Sequence, residues 1–180
     1  NLCDGVESIS FISEEDLDGS VSRELRTNPR YVRARGVLAD IEKFDAKGEF
    51  VRAWGSKSPP NSVGPQNTFN EPWGIAIDKS GSVYVADTWN HRIQKFDKDG
   101  KFLTMWGANG DTRGIAQGNP LQFYGPRAVA IDAQGNVLVT DTGNKRVLKF
   151  SPTGEPLDQY GGVGADPGQF LEQVGIAVDA

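Results

Sequence analysis

The sequence predicts an all-β fold assembled from repeated modules. Three observations carry this: a stretch of about fifty residues that occurs twice, short apolar runs broken by Asp- and Gly-containing turns in each copy, and no sustained 3.6-residue apolar period after residue 41. One copy reads GIAIDKSGSVYVADTWNHRIQKFDKDGKFLTMWG at 74–107, the other AVAIDAQGNVLVTDTGNKRVLKFSPTGEPLDQYG at 128–161. The back half of a copy, IEKFDAKGEFVRAWG, lies upstream at 41–55, and GIAVDA begins another at 175–180. From Asp78 to Asp132 and from Phe96 to Phe150 the offset is 54 positions.

The elements follow in order. In the first full copy the apolar runs are Gly74–Asp78, Val83–Asp87, Arg92–Asp97 and Lys101–Trp106, rich in Val, Ile, Tyr and Phe, as strands require. The first run of each copy, Ile75-Ala76-Ile77 and Val129-Ala130-Ile131, is apolar on both faces, which suits a strand covered from both sides. The turns Asp45–Gly48, Asp78–Gly81, Asp97–Gly100 and Asp132–Gly135 share a chemistry: Asp accepts a backbone N–H two residues on, and Gly takes the positive φ that closes the hairpin. Asp97-Lys98-Asp99-Gly100 lacks the distal Glu of a calcium loop, so no metal is expected there. Four antiparallel strands per module of this length define a β-propeller blade. The chain is therefore expected to form an open arc of about three blades, not a closed ring. Its organisation reads as a non-repeat arm at 1–30, a degenerate or partial blade at 31–69, full blades at 72–123 and 126–170, and the start of a further blade at 174–180. A three-bladed ring closed by residues 174–179 is the alternative.

The stretches Asp87-Thr88-Trp89-Asn90-His91-Arg92-Ile93-Gln94-Lys95-Phe96 and Asp141-Thr142-Gly143-Asn144-Lys145-Arg146-Val147-Leu148-Lys149-Phe150 resemble the signature of NHL repeats. So do Pro72-Trp73-Gly74-Ile75-Ala76 and Pro126-Arg127-Ala128-Val129-Ala130 before them. The resemblance covers residues 41–180 and implies a propeller, usually of six blades, so the chain is expected to be part of a longer ring with further blades. Residues 31–40 depart from the pattern: its Asp and Arg are absent there.

The net charge of −5 argues against nonspecific nucleic-acid binding, although Arg23, Arg26, Arg30, Arg33 and Arg35 form a basic stretch. RNA binding stays a lesser alternative. Cys3 is the single cysteine, so no intrachain disulfide forms. No run of 18 apolar residues occurs, so no transmembrane segment is expected in this chain. The compartment is left open, an extracytoplasmic or membrane-attached setting included. Ile12–Leu17 matches part of an epitope tag and is left out of the functional reading.

Asp87, Asn90, Arg92 and their counterparts Asp141, Asn144, Arg146 read as a structural repeat motif, with Asp meeting Arg across the mouth of a hairpin and Asn at a positive φ. Trp54, Trp106 and Tyr160 close the fourth strand and read as packing. His91, the single histidine, cannot build a zinc site alone and reads as an exposed loop residue; no Gly-x-Ser-x-Gly elbow accompanies it. No catalytic residue, metal or cofactor is assigned. Trp89 occupies a turn where the other copy has Gly143, so it reads as a binding anchor. Antiparallel topology puts that turn on one face with the long connections Ser56–Glu71, Ala108–Gly125 and Gly162–Gln173. The expected function is a non-catalytic scaffold whose loop face, with Trp89, His91, Phe123, Tyr124 and Arg127, takes a protein, peptide or glycan. The alternative is part of a metal-dependent lyase or lactonase completed by other blades, because some NHL-like propellers are amidating lyases with His-ligated zinc.

Overall fold

The computed structural model describes residues 32–34, 40–60, 62–115 and 118–179. The arm expected at 1–30 lies outside the described residues. The first blade holds β1 (Val32–Ala34), β2 (Ile41–Phe44) and β3 (Phe50–Trp54), in that order and antiparallel. A connection follows with β4 (Ser56–Lys57) and β5 (Thr68–Phe69). The second blade is β6 (Pro72–Ile77), β7 (Val83–Asp87), β8 (Arg92–Phe96) and β9 (Phe102–Trp106), a four-stranded antiparallel meander. Then come β10 (Ala108–Asn109) and β11 (Gln122–Phe123). The third blade repeats the meander with β12 (Pro126–Ile131), β13 (Val137–Asp141), β14 (Arg146–Phe150) and β15 (Pro156–Gly161).

The Asp turns form as their chemistry dictates. Asp45, Asp78, Asp97 and Asp132 each accept, on Oδ1, the N–H groups two and four residues on, at 2.8–3.0 Å. Gly100 closes its turn at φ 78°. The long connections are more regular than their Gly and Pro content suggests. β4 pairs parallel with β5 and β10 with β11, each pinning the two ends of its connection together.

Strand periodicity explains how one blade meets two neighbours. Along β7, Val83 and Val85 enter an apolar cluster with Ile41, Phe69 and Phe96, between the first and second blades. Tyr84 and Ala86 point the other way, into a cluster with Trp106, Phe123, Val137, Val139, Leu148 and Phe150 between the second and third. Every residue of β7 is buried, as a middle strand covered on both faces must be. Phe96 and Phe150 are wholly buried, each contributing about 2–3 kcal/mol of apolar burial. The innermost strands β6 and β12 approach so closely that a Cβ on Gly74 would collide with the Arg127 carbonyl. The blades thus stack side by side in an open arc. Among the described residues, 174–179 form no strand and pair with no strand of the first blade, so they close no ring.

Candidate functional site

The hairpin between the second and third strands of each full blade builds the loop face. In the second blade a 3-10 turn at Thr88–Asn90 joins β7 to β8, and in the third the equivalent turn is Thr142–Asn144. The positive φ falls one residue after the expected asparagines, on His91 (54°) and Lys145 (60°). The reason is that the 3-10 turn uses the asparagine within it and exits through a left-handed residue, whose N–H reaches back to the threonine carbonyl.

The Asp–Arg pairs meet as expected. Arg92 Nε donates to Asp87 Oδ2 at 2.7 Å, and Arg146 Nε to Asp141 Oδ2 at 2.9 Å, all four side chains being buried. Each guanidinium then reaches the preceding connection: Arg92 donates to the carbonyls of Gly64, Pro65 and Thr68, and Arg146 to those of Gly118, Asn119 and Gln122. Asn90 Nδ2 bonds Asp87 and the Ser58 hydroxyl; Asn144 Nδ2 bonds Asp141 and the Gly110 carbonyl. Burial pushes the Asp87 and Asp141 carboxyls up from the ordinary range, while these donors pull the other way. The motif is a polar hub that ties a long connection to its blade, consuming every strong charge it contains.

The surface residues gather at the seam between the second and third blades. Trp89 is 45% exposed, and its Nε1–H donates to Glu71 Oε2 at 2.9 Å. Its ring meets His91 edge-on at 6.2 Å, and His91 stacks parallel to Tyr124 at 5.8 Å. Tyr124 is 38% exposed and carries Arg113 over its ring at 5.7 Å. Arg127 lies 4.3 Å over Trp73 and pairs with Glu172 at 2.7 Å.

Two expected surface residues are placed differently. His91 is buried, not an exposed loop residue, because its Nδ1 accepts the Gly125 N–H at 3.1 Å and its ring is sandwiched by aromatics. That bond puts the ring proton on Nε2, and burial lowers the pKa, so His91 is neutral. Phe123 has no exposed surface: it packs on Phe150 at 5.8 Å in the core, so it cannot line a loop face. Arg113, Trp73, Glu71 and Glu172 complete the surface and were missed in the sequence, because contacts between residues far apart in the chain bring them there. The swap of aromatics has a local cause. A Cβ on Gly143 would strike Tyr124, whereas Trp89 faces Asn70 at the matching position, so each blade carries one aromatic at this junction.

Sheets of four antiparallel strands stacked through their apolar faces define the class as β-propeller blades. The NHL repeat pattern matches residues 69–96 and 123–150. The chain therefore carries two NHL repeats. It is similar to NHL repeat-containing protein 3 of Mus musculus, 30% identical over 124 residues, covering 67% of this chain and 34% of that protein. It is also similar to peptidylglycine alpha-amidating monooxygenase of Rattus norvegicus, 33% identical over 115 residues, covering 58% of this chain and 11% of that one. A solved streptogramin B lyase structure aligns at a TM-score of 0.48 and 18% identity, over 69% of this chain and 34% of its own. The chain thus spans about a third, or less, of the length of these relatives. Among the described residues no helix is long and apolar enough to cross a membrane.

Proposed function

We propose that this chain is a non-catalytic binding scaffold, and that the aromatic ledge of Trp89 and Tyr124, braced by His91, takes a protein or peptide partner. The observation that carries this reading is the exposed indole of Trp89 on a frame that does not need it, since the third blade completes the same turn with Gly143. The ledge is held still from below. His91 is locked by the Gly125 N–H, Trp89 by Glu71, and the Tyr124 backbone N–H by Asp141 at 2.8 Å. A rigid aromatic anchor beside a cation excludes water at little entropic cost. Arg113 and Arg127 supply that cation, each already aligned by a carboxylate.

A displayed-peptide screen against the chain tests this. For the peptides selected, Trp89→Ala should lower affinity about thirtyfold, roughly 2 kcal/mol. Ligands indifferent to both Trp89→Ala and Tyr124→Ala would place the binding surface elsewhere.

A second reading, part of a propeller lyase, is supported by the 30% identity over 137 residues to a probable peptidyl-alpha-hydroxyglycine alpha-amidating lyase of Caenorhabditis elegans, which covers 69% of this chain and 37% of that protein. In that case other blades would supply the metal ligands. Metal content of the longer protein, measured by mass spectrometry, separates the two readings.

A further inference from the structure

On the reading of the ledge as a peptide site, we propose that the exposed indole of Trp89 and the carboxylate of Glu71 together bind a guanidinium, the side chain of an arginine on the partner. The surface carries its own template, because it twice joins an arginine, an aromatic ring and a carboxylate. Arg127 lies 4.3 Å over the Trp73 ring and donates to Glu172 at 2.7 Å. Arg113 lies 5.7 Å over the Tyr124 ring, and its Nε donates to Asp111 at 3.0 Å. A guanidinium gains twice in such a place. Its flat face meets the negative face of the ring, while an N–H on its edge donates to the carboxylate.

Trp89 and Glu71 form a third ring–carboxylate pair, and among the described residues no cation joins them. The indole Nε1–H holds Glu71 Oε2 at 2.9 Å, leaving Oε1 without a donor among the described residues. The ring is braced edge-on by His91 and rests against Gly125, where an added Cβ would stand 3.8 Å from it. The frame completes the same two positions with glycine in the third blade: Gly143 matches Trp89, and Gly125 matches Glu71. For Glu71 the difference carries a conformational cost. Its φ is 47°, in the left-handed region that suits Gly125 at 63° and penalises any larger residue. Backbone strain of this kind collects where a side chain has a ligand to meet. The net charge of −5 attracts a basic segment over a longer range. A lysine ammonium is a point charge that cannot lie flat on the ring and also reach sideways to Glu71, so arginine is the residue that fits.

Titration of the isotope-labelled chain with N-acetyl-arginine amide, followed by NMR on the Trp89 indole N–H, tests this. That resonance, assigned by its loss in Trp89→Phe, should shift and saturate with a Kd of about 1–50 mM. N-acetyl-citrulline amide, which has nearly the same shape and no charge, should leave it in place. Glu71→Gln keeps an acceptor for the indole N–H and should weaken arginine binding about tenfold. Glu71→Gly should abolish that binding without lowering the urea midpoint, because glycine suits the backbone there. The inference is overturned by no shift at about 100 mM arginine amide, by equal shifts with the citrulline or lysine amide, or by unchanged binding in Glu71→Gln. Peptides selected on the chain separate this inference from the ledge reading. Replacing their arginines by citrulline should cost about tenfold in affinity. Peptides weakened by Trp89→Ala but indifferent to citrulline and to Glu71→Gln would sink the guanidinium site and leave the ledge standing.

Discussion

Asp87 in the second blade accepts four N–H bonds, from Asn70, Asn90, Arg92 and Gln94, while Asp141 in the third accepts three, from Tyr124, Asn144 and Arg146. The missing donor is replaced by Leu148, which packs in the core at the position of Gln94. Elsewhere the exchange runs in the other direction. Arg146 gains a bond to Gln159 Oε1 at 2.9 Å where Arg92 has only the Met105 sulfur at 3.5 Å. Asn144 Oδ1 accepts the Thr112 N–H at 2.8 Å, yet Asn90 Oδ1 is buried with no partner among the described residues. Counted two residues past the matched Ser58 and Gly110, Pro60 holds the sequence position of Thr112, although it is exposed where Thr112 is buried, and it has no N–H to give. The difference teaches that Asp, Asn and Arg form the part of the repeat that both blades keep. The residues around them trade polar for apolar contacts one at a time, and the loop tips vary freely.

The largest effect should come from cutting the hub. Arg146→Ala leaves a buried carboxylate with two donors and should lower stability by about 3–5 kcal/mol, measured by urea denaturation. Arg92→Ala should fall at the lower end of that range, since Gln94 remains on Asp87; a larger loss for Arg92 would break the comparison. Gly74→Ala tests the seam between the two blades. Its new methyl meets the Arg127 carbonyl and should cost about 1–3 kcal/mol, whereas Gly175→Ala, with open space around it, should cost far less.

The turn carboxylates give a smaller, pH-dependent effect. Burial alone would raise Asp132, but the Lys149 ammonium and Asn136 outweigh it and hold its pKa at about 2, below the ordinary 3.8. A carboxyl whose pKa is lower in the folded chain adds stability above 3.8 and loses it as pH falls through about 2. The stability difference between the unaltered chain and Asp132→Asn should therefore shrink as pH falls from 3.8 to about 2; a constant difference contradicts the assignment. The smallest effect has the opposite sign. Pro60→Thr should supply the N–H that Asn90 Oδ1 lacks and raise stability by about 0.5–1.5 kcal/mol. No gain, or a loss, would mean that the backbone near residue 60 cannot follow the path of the third blade.

Much of this was legible in the sequence. The Asp–Arg pairing was readable because both residues flank one tight hairpin, so the strand register alone brings them together. The Asp turns were readable because their bonds span only two and four residues. The candidate surface was half readable. Trp89 stood out against Gly143, but the burial of Phe123 and the sandwiching of His91 depend on a neighbouring blade. His91 meets Gly125 across 34 residues, and no local pattern encodes that contact.

The amino-acid order by itself determined the module: which runs are strands, where each turn closes, and which polar residues meet at the hairpin. These follow from period-two alternation and from side chains bonding their own turns, forces that act within a few residues. Only the tertiary structure decided which aromatics are spent in the seams and which are left outside. Trp54 and Trp106 are covered and Tyr160 is not, although all three hold the same place in the repeat. Burial belongs to a blade's neighbour rather than to the blade, and a repeated sequence cannot state which neighbour is present.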